Sequence, residues 1–270
     1  MFNPVHVFPG ITHITDSMGV SFTLIEGAER AVLFDTGYGL ENVCSYVRTI
    51  TDKPITVLLS HGHHDHILGA RWFRDTVLCK EDMEEYVQRT GKAQRINVKN
   101  QAEQRGIAVP DDFLTVPYNK PEVMQFSGKT GEFDSLSADL GNLKITVIRV
   151  PGHTPGSIVV FIPKYGLLLT GDNWNPCTWM WFPSSLPAGL WHNNMLNLIR
   201  VLEQDDEIRH VICSHQPMPR NGNEMKEYLA YMSDERMAKA PAVDMGSPIN
   251  THQVTEERHE WVLVLDKDKI

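Results

Sequence analysis

The alternation of apolar and polar positions divides the chain into short strands separated by helical stretches. Residues 5–8 and 11–15, joined by Pro9-Gly10, read as a hairpin, and strands follow at 22–25 and 31–34 around Glu26-Gly27-Ala28-Glu29. This predicts an antiparallel opening. Residues 40–50 have helical spacing, the β-branched run that follows Pro54 reads as a buried strand, and residues 67–73 open a helix. Residues 76–79 form a short strand. From Lys80 to about Gly106 charged residues recur with helical periodicity, and residues 110–139 are irregular and rich in Pro, Gly and Asp. The stretch at about 80–140 is therefore an insertion, read either as a solvated helical face or as a cap or dimer surface beside a site. Strands resume at 143–150 and 158–162, the latter pairing with 167–169 across Pro163-Lys164-Tyr165-Gly166. Residues 193–204 and 223–237 read as amphipathic helices, and 261–265 as a last strand.

The 270 residues, 41% hydrophobic and 22% charged, provide ample core for one large domain or two small ones, and a single domain over 1–270 is the expectation. No stretch approaches the roughly 20 apolar residues of a membrane span, and Met1-Phe2-Asn3-Pro4-Val5-His6 lacks the features of a signal peptide. The expectation is a soluble, cytoplasmic protein. Cys44, Cys79, Cys177 and Cys213 are scattered singly, which predicts reduced thiols. A formal net charge of −9 leaves no basic stripe for a phosphate backbone and argues against a nucleic-acid partner. Small phosphate esters stay compatible, because a local pair of cations can dominate the field at a site.

Candidate chemistry is concentrated in Ser60-His61-Gly62-His63-His64-Asp65-His66, at the C-terminal end of the buried strand. The end of a strand is where α/β sheets place chemistry. A turn there can aim His61 and His63 one way and Asp65 with His66 another, so two adjacent cation sites are the natural reading. A polar surface loop is the alternative, but imidazole is rarely clustered this tightly without a cation. His64 stays outside the ligand set, since a third consecutive ligand would be sterically awkward.

This His-x-His-x-Asp-His segment resembles the signature of the metallo-β-lactamase fold superfamily. Further elements of that family have counterparts here: His153 in Pro151-Gly152-His153-Thr154-Pro155-Gly156, Asp172 in Thr170-Gly171-Asp172, and His215 in Ser214-His215, each just past a predicted strand. The resemblance implies an α/β (α+β) four-layer αββα sandwich and a dinuclear site. His61, His63 and His153 would hold one metal, Asp65, His66 and His215 the other, and Asp172 would bridge them. Asp35 in Asp35-Thr36-Gly37 would brace the metal-binding loop from behind. Zinc is the expected metal, two ions per chain, with iron or manganese compatible where carboxylates contribute. Two such ions sharing a water lower its pKa towards about 7 and make hydroxide available, with Asp65 orienting it and passing a proton to the leaving group.

The implied function is a hydrolase cleaving an ester, thioester, lactone or amide bond of a small molecule, with a homodimer left open. The alternatives are a phosphodiesterase or phosphocholine-esterase-like hydrolase and a mononuclear iron oxidoreductase of the persulfide dioxygenase type. Acyl-homoserine lactonases have a Tyr shortly after the bridging Asp, where this chain has Asn173, Trp174 and Asn175. Glyoxalase II enzymes have a basic C-terminal patch, where this chain offers Arg220, Lys226 and scattered charges. The Pro-interrupted aromatic run after Asp172 reads as a loop that either walls the site or tucks into the core. As a wall it would place Trp174, Trp179, Trp181 and, a little later, His192 against a substrate. Cys177 reads as a buried or incidental thiol.

Overall fold

The computed structural model describes residues 1–270. The chain divides into two compact units. The first comprises Met1–Gln125, Ser137–Ile145 and Ser214–Met218, and the second Phe126–Leu136, Thr146–Cys213 and Pro219–Ile270. No helix is long and apolar enough to cross a membrane.

In the first unit a seven-stranded sheet runs in chain order through β1 (Asn3–Phe8), β2 (Ile11–Thr15), β3 (Ser21–Glu26), β4 (Ala31–Phe34), β5 (Ile55–Leu58), β6 (Thr76–Leu78) and β7 (Glu122–Val123). The first four strands pair antiparallel, as expected from the hairpin pattern, with Gly10 at φ +79 in the first turn. From β4 onward the pairing is parallel, and each parallel step needs a crossover. The crossovers are α1 (Val43–Val47), then α2 (His64–Ile67) with a 3₁₀ turn, then α3 (Met83–Arg89) and α4 (Lys92–Gln104). Leu24, Leu33 and Val57 of the sheet pack against Val47 of α1, Ile67 of α2, and Met83 and Tyr86 of α3. Since β4 and β5 are parallel, the residues that follow them emerge at one edge of the sheet.

The second unit carries α5 (Ala188–Leu202), α6 (Gly222–Tyr231) and α7 (Asp234–Lys239), together with the remaining strands apart from residues 137–139 and 144–145, which fall in the first unit. These strands are β8 (Gly128–Thr130), β9 (Phe133–Asp139), β10 (Lys144–Arg149), β11 (Ile158–Ile162), β12 (Leu167–Gly171), β13 (Cys177–Met180), β14 (His210–Cys213), β15 (Arg220–Asn221), β16 (Thr251–Glu256) and β17 (Trp261–Asp266). One sheet has the order β15-β14-β12-β11-β10-β9-β8, and a smaller one the order β13-β17-β16. The β11–β12 hairpin is the one expected, turning through Gly166 at φ +55. The core joins Ile148, Val159 and Leu168 of the large sheet to Trp191 and Met195 of α5, Tyr228 of α6 and Leu263 of β17.

The mixed α/β class is as expected, and three local expectations are corrected. The predicted helix at 223–237 is two helices, because the Ser233 side chain accepts from Arg236 N and caps a new helix there. The predicted helix at 193–204 starts five residues earlier, at Ala188, directly after Pro187. The aromatic run taken as loop contains β13, whose partner β17 lies more than eighty residues away in the sequence and is invisible to a local pattern.

Candidate metal centre

Asp35 leaves β4 in a left-handed conformation, φ +66, which turns its carboxylate back over the end of β5. There Oδ1 accepts from Ser60 N at 2.6 Å, and Oδ2 accepts from Ser60 Oγ at 2.7 Å and from His66 Nδ1 at 2.9 Å. Thr36 adds a second hold on the same turn, donating through N (2.9 Å) and Oγ1 (2.7 Å) to His66 O. With Nδ1 committed to Asp35, His66 has only Nε2 to offer, and Nε2 lies 3.5 Å from Asp65 Oδ2. His215 Nε2 is 3.6 Å from the same oxygen. The donor atoms of Asp65, His66 and His215 all lie within 4.8 Å of one another.

The Ser60 hydroxyl has one proton, and Asp35 receives it. Ser60 Oγ can therefore only accept from His61 Nδ1, 2.9 Å away, so His61 also presents Nε2. The His61 ring meets His63 edge-on at 4.6 Å, and their donor atoms are within 4.8 Å. Burial opposes ionisation of Asp65, but the imidazoles of His66, His64 and His215 outweigh it and hold the carboxyl well below the usual carboxylate range. His64, left out of the ligand set, packs its ring 5.5 Å from Tyr38, and burial lowers its pKa.

In the second unit His153 follows β10 and Asp172 follows β12. His153 Nδ1 donates to Trp179 O at 2.8 Å, leaving Nε2, which is 3.7 Å from Asp172 Oδ2. Asn173 fixes the turn, accepting from His153 N at 2.9 Å and donating to Val150 O at 2.7 Å. Gly152 has to be glycine here, since a Cβ would sit 2.6 Å from Trp191 Cδ1 and 2.8 Å from Asn173 Oδ1. Of the seven expected ligands, His61, His63, Asp65, His66 and His215 thus belong to the first unit and His153 and Asp172 to the second.

This donor set fits a transition metal: imidazole nitrogens and carboxylates, with the second nitrogen of His61, His66 and His153 held by a hydroxyl, a carboxylate and a carbonyl. Ser60, Asn173 and the Trp179 carbonyl were missed in the sequence. Ser60, directly before the first histidine, was the one with a local signal.

The aromatic residues separate into two groups. Trp179, 39% exposed, Trp181 and Phe182 cluster with centroids 4.7–6.0 Å apart, and the Phe182 ring lies 5.6 Å from His153. Lys269 reaches over this loop and donates to Phe182 O, Pro183 O and Ser185 O at 2.9–3.0 Å. Trp174 and His192 do not form a substrate surface: Trp174 is fully buried against Tyr228, and His192 is buried with Nε2 on Leu229 O at 2.7 Å. Cys177, expected to be buried or incidental, is exposed.

A family model described as the metallo-beta-lactamase superfamily matches residues 16–215. The chain is 26% identical over 170 residues to a linear primary-alkylsulfatase of Pseudomonas sp., a match covering 55% of this chain and 32% of that protein. It is 22% identical over 165 residues to the acyl-coenzyme A thioesterase MBLAC2 of Gallus gallus, covering 55% of each. The solved sec-alkylsulfatase Pisa1 from Pseudomonas sp. superposes with a TM-score of 0.62 at 19% identity, over 85% of this chain and 40% of that one, which establishes a shared fold. The chain spans between about a third and two thirds of the length of such curated relatives.

Proposed function

Because the chain belongs to the metallo-β-lactamase superfamily, we propose that it is a metal-dependent hydrolase acting on an ester, thioester, lactone or amide bond of a small molecule. In this reading His61, His63 and His153 hold one ion and Asp65, His66 and His215 a second, with Asp172 shared, and zinc is the first metal to test. When bound, the ions would supply Lewis acidity and a water acidic enough to ionise near neutral pH.

The residues do the rest. Asp65 can orient a water through one carboxylate oxygen and carry its proton to the leaving group. Asp35 keeps the proton of His66 on Nδ1, and Ser60 does the same for His61, so neither ring has to change tautomer during turnover. Trp179, Trp181 and Phe182 offer an apolar, π-rich face beside His153 for the non-reacting part of the substrate. The observation that carries the reading is the anchoring of the histidines through the nitrogen that faces away from the donor cluster. That arrangement is idle in a polar surface loop and required around a metal. The thioesterase and alkylsulfatase among the relatives support an ester-type bond.

Elemental analysis after loading with excess zinc should find two ions per chain, and at most one would overturn the reading. A single iron, leaving Asp65, His66 and His215 without metal, would favour the persulfide dioxygenase type instead. Activity is then to be screened over thioesters, lactones, β-lactams, sulfate esters and phosphodiesters.

A further inference from the structure

The helix α3 was open to two readings in the sequence, a solvated face or a cap beside the site, and its first turn lies against the histidine loop. Asp82, buried at its N-terminus, accepts from Gly62 N at 3.0 Å through Oδ2. A Cβ on Gly62 would come within 2.9 Å of Glu85 Cβ and 3.0 Å of Asp82 O, so the contact leaves no room for a side chain between His61 and His63. Glu85 projects Oε1 to 3.6 Å from His63 Nε2, an ion-pair distance rather than a hydrogen bond. Arg89 Nε donates to the same oxygen at 2.6 Å and fixes it from the next turn of the helix. Both His63 and Glu85 are largely withdrawn from water, with side chains 5% and 15% exposed.

His61, His66 and His153 are each anchored at Nδ1. His63 differs, because the carboxylate faces its Nε2. Asp65 and Asp172 stand at similar distances, 3.5 and 3.7 Å, from Nε2 of His66 and His153, but they are ligands in the reading above and an ion would lie between carboxylate and ring. Glu85 is held by Arg89 outside the ligand set, so it stabilises a proton on His63 Nε2 and repels a lone pair there. We propose that Glu85, oriented by Arg89, is a positioning residue of the metal centre: it keeps the proton of His63 on Nε2 so that Nδ1 is the nitrogen presented to the metal. The proposal rests on the metal-centre reading above, and it makes α3 part of the site.

The test compares the zinc-loaded full-length chain with Glu85→Ala and Glu85→Gln by chelator competition, and follows the His63 tautomer in each by long-range ¹H–¹⁵N NMR. Glu85→Ala should weaken one of the two zinc ions by about 10–100-fold and leave the other within a few-fold. It should also turn His63 from the Nε2-protonated form into a mixture of tautomers. Glu85→Gln keeps the volume of the side chain but not its charge, so it should follow Glu85→Ala in both readouts, and recovery of zinc affinity and tautomer by Gln would reduce Glu85 to a packing role and overturn the proposal. Equal zinc affinity in wild type and Glu85→Ala would overturn the proposal. If wild type binds no zinc, the metal-centre reading itself falls, and an unchanged His63 tautomer in Glu85→Ala would then remove the role of Glu85 as well.

Discussion

Asp35 serves three donors with two oxygens, and it does so from a left-handed backbone that Asp and Asn tolerate better than other side chains. Asp35→Asn therefore tests the carboxylate without disturbing the turn. One oxygen can still accept from Ser60 N, but the amide NH₂ would face the Ser60 hydroxyl and the His66 Nδ1–H, setting donor against donor. The variant should lose about 2 kcal/mol in urea denaturation, and its zinc affinity should fall at the ion held by His66. Unchanged zinc binding would show that Asp35 supports only the fold. Asp16 is a second buried carboxyl with a different consequence. Burial pushes its pKa up to about 6, against the opposing effect of N–H groups from Tyr38, Val20 and Met18. The folded chain thus holds this proton more tightly than the unfolded chain does. Its stabilisation is complete below the ordinary 3.8 and is lost as the pH rises through about 6. The difference in unfolding free energy between wild type and Asp16→Asn should accordingly shift by up to roughly 3 kcal/mol between about pH 4 and about pH 7. A difference independent of pH would refute it. Both residues precede turns, and only Asp35, inside a recognisable Asp-Thr-Gly, gave a sign in the sequence of what it does.

The short strand β13 decides which aromatic side chains face water. Strand alternation turns Cys177 and Trp179 outward and Thr178 and Met180 inward, while Trp174, before the strand, points into the core. The two tryptophans should respond oppositely to truncation. Trp174→Ala leaves a large cavity and should cost about 3–5 kcal/mol of stability. Trp179→Ala should cost well under about 1 kcal/mol but raise KM for the true substrate more than it lowers kcat, as expected when uniform binding is removed. Equal thermal stability of the two variants would contradict the assignment of faces. The strands before the ligands were readable because each is a local apolar run ended by Ser, Gly or Pro. β13 was not, since Pro176 and Pro183 break the local pattern and its pairing depends on a strand near the other end of the chain. Glu85 was hidden for the same reason: along α3 it is one charge among several, and only packing against Gly62 distinguishes it.

For the molecule as a whole, a ligand that binds only the folded chain stabilises it by mass action. Chelation of a zinc-loaded sample should therefore lower the melting temperature, by the equivalent of about 4 kcal/mol for an ion present at a thousand times its Kd. Calorimetry before and after chelation measures this, and an unchanged melting temperature would mean that the donor cluster holds no ion. The seven candidate ligands were all legible in advance, because each chemically distinctive side chain stands at a strand end. What lay beyond reach was whatever distant segments contribute to one another, and Lys269 is the extreme case. Its ammonium group has three protons and meets three carbonyls of the 182–185 loop, so every donor is used and the loop is tied at three successive points. An aromatic surface on a slack loop would have to surrender its freedom each time a small molecule arrived, and affinity would fall accordingly. With the lysine in place that entropy is lost once, during folding, and the face beside His153 is already rigid when a substrate meets it.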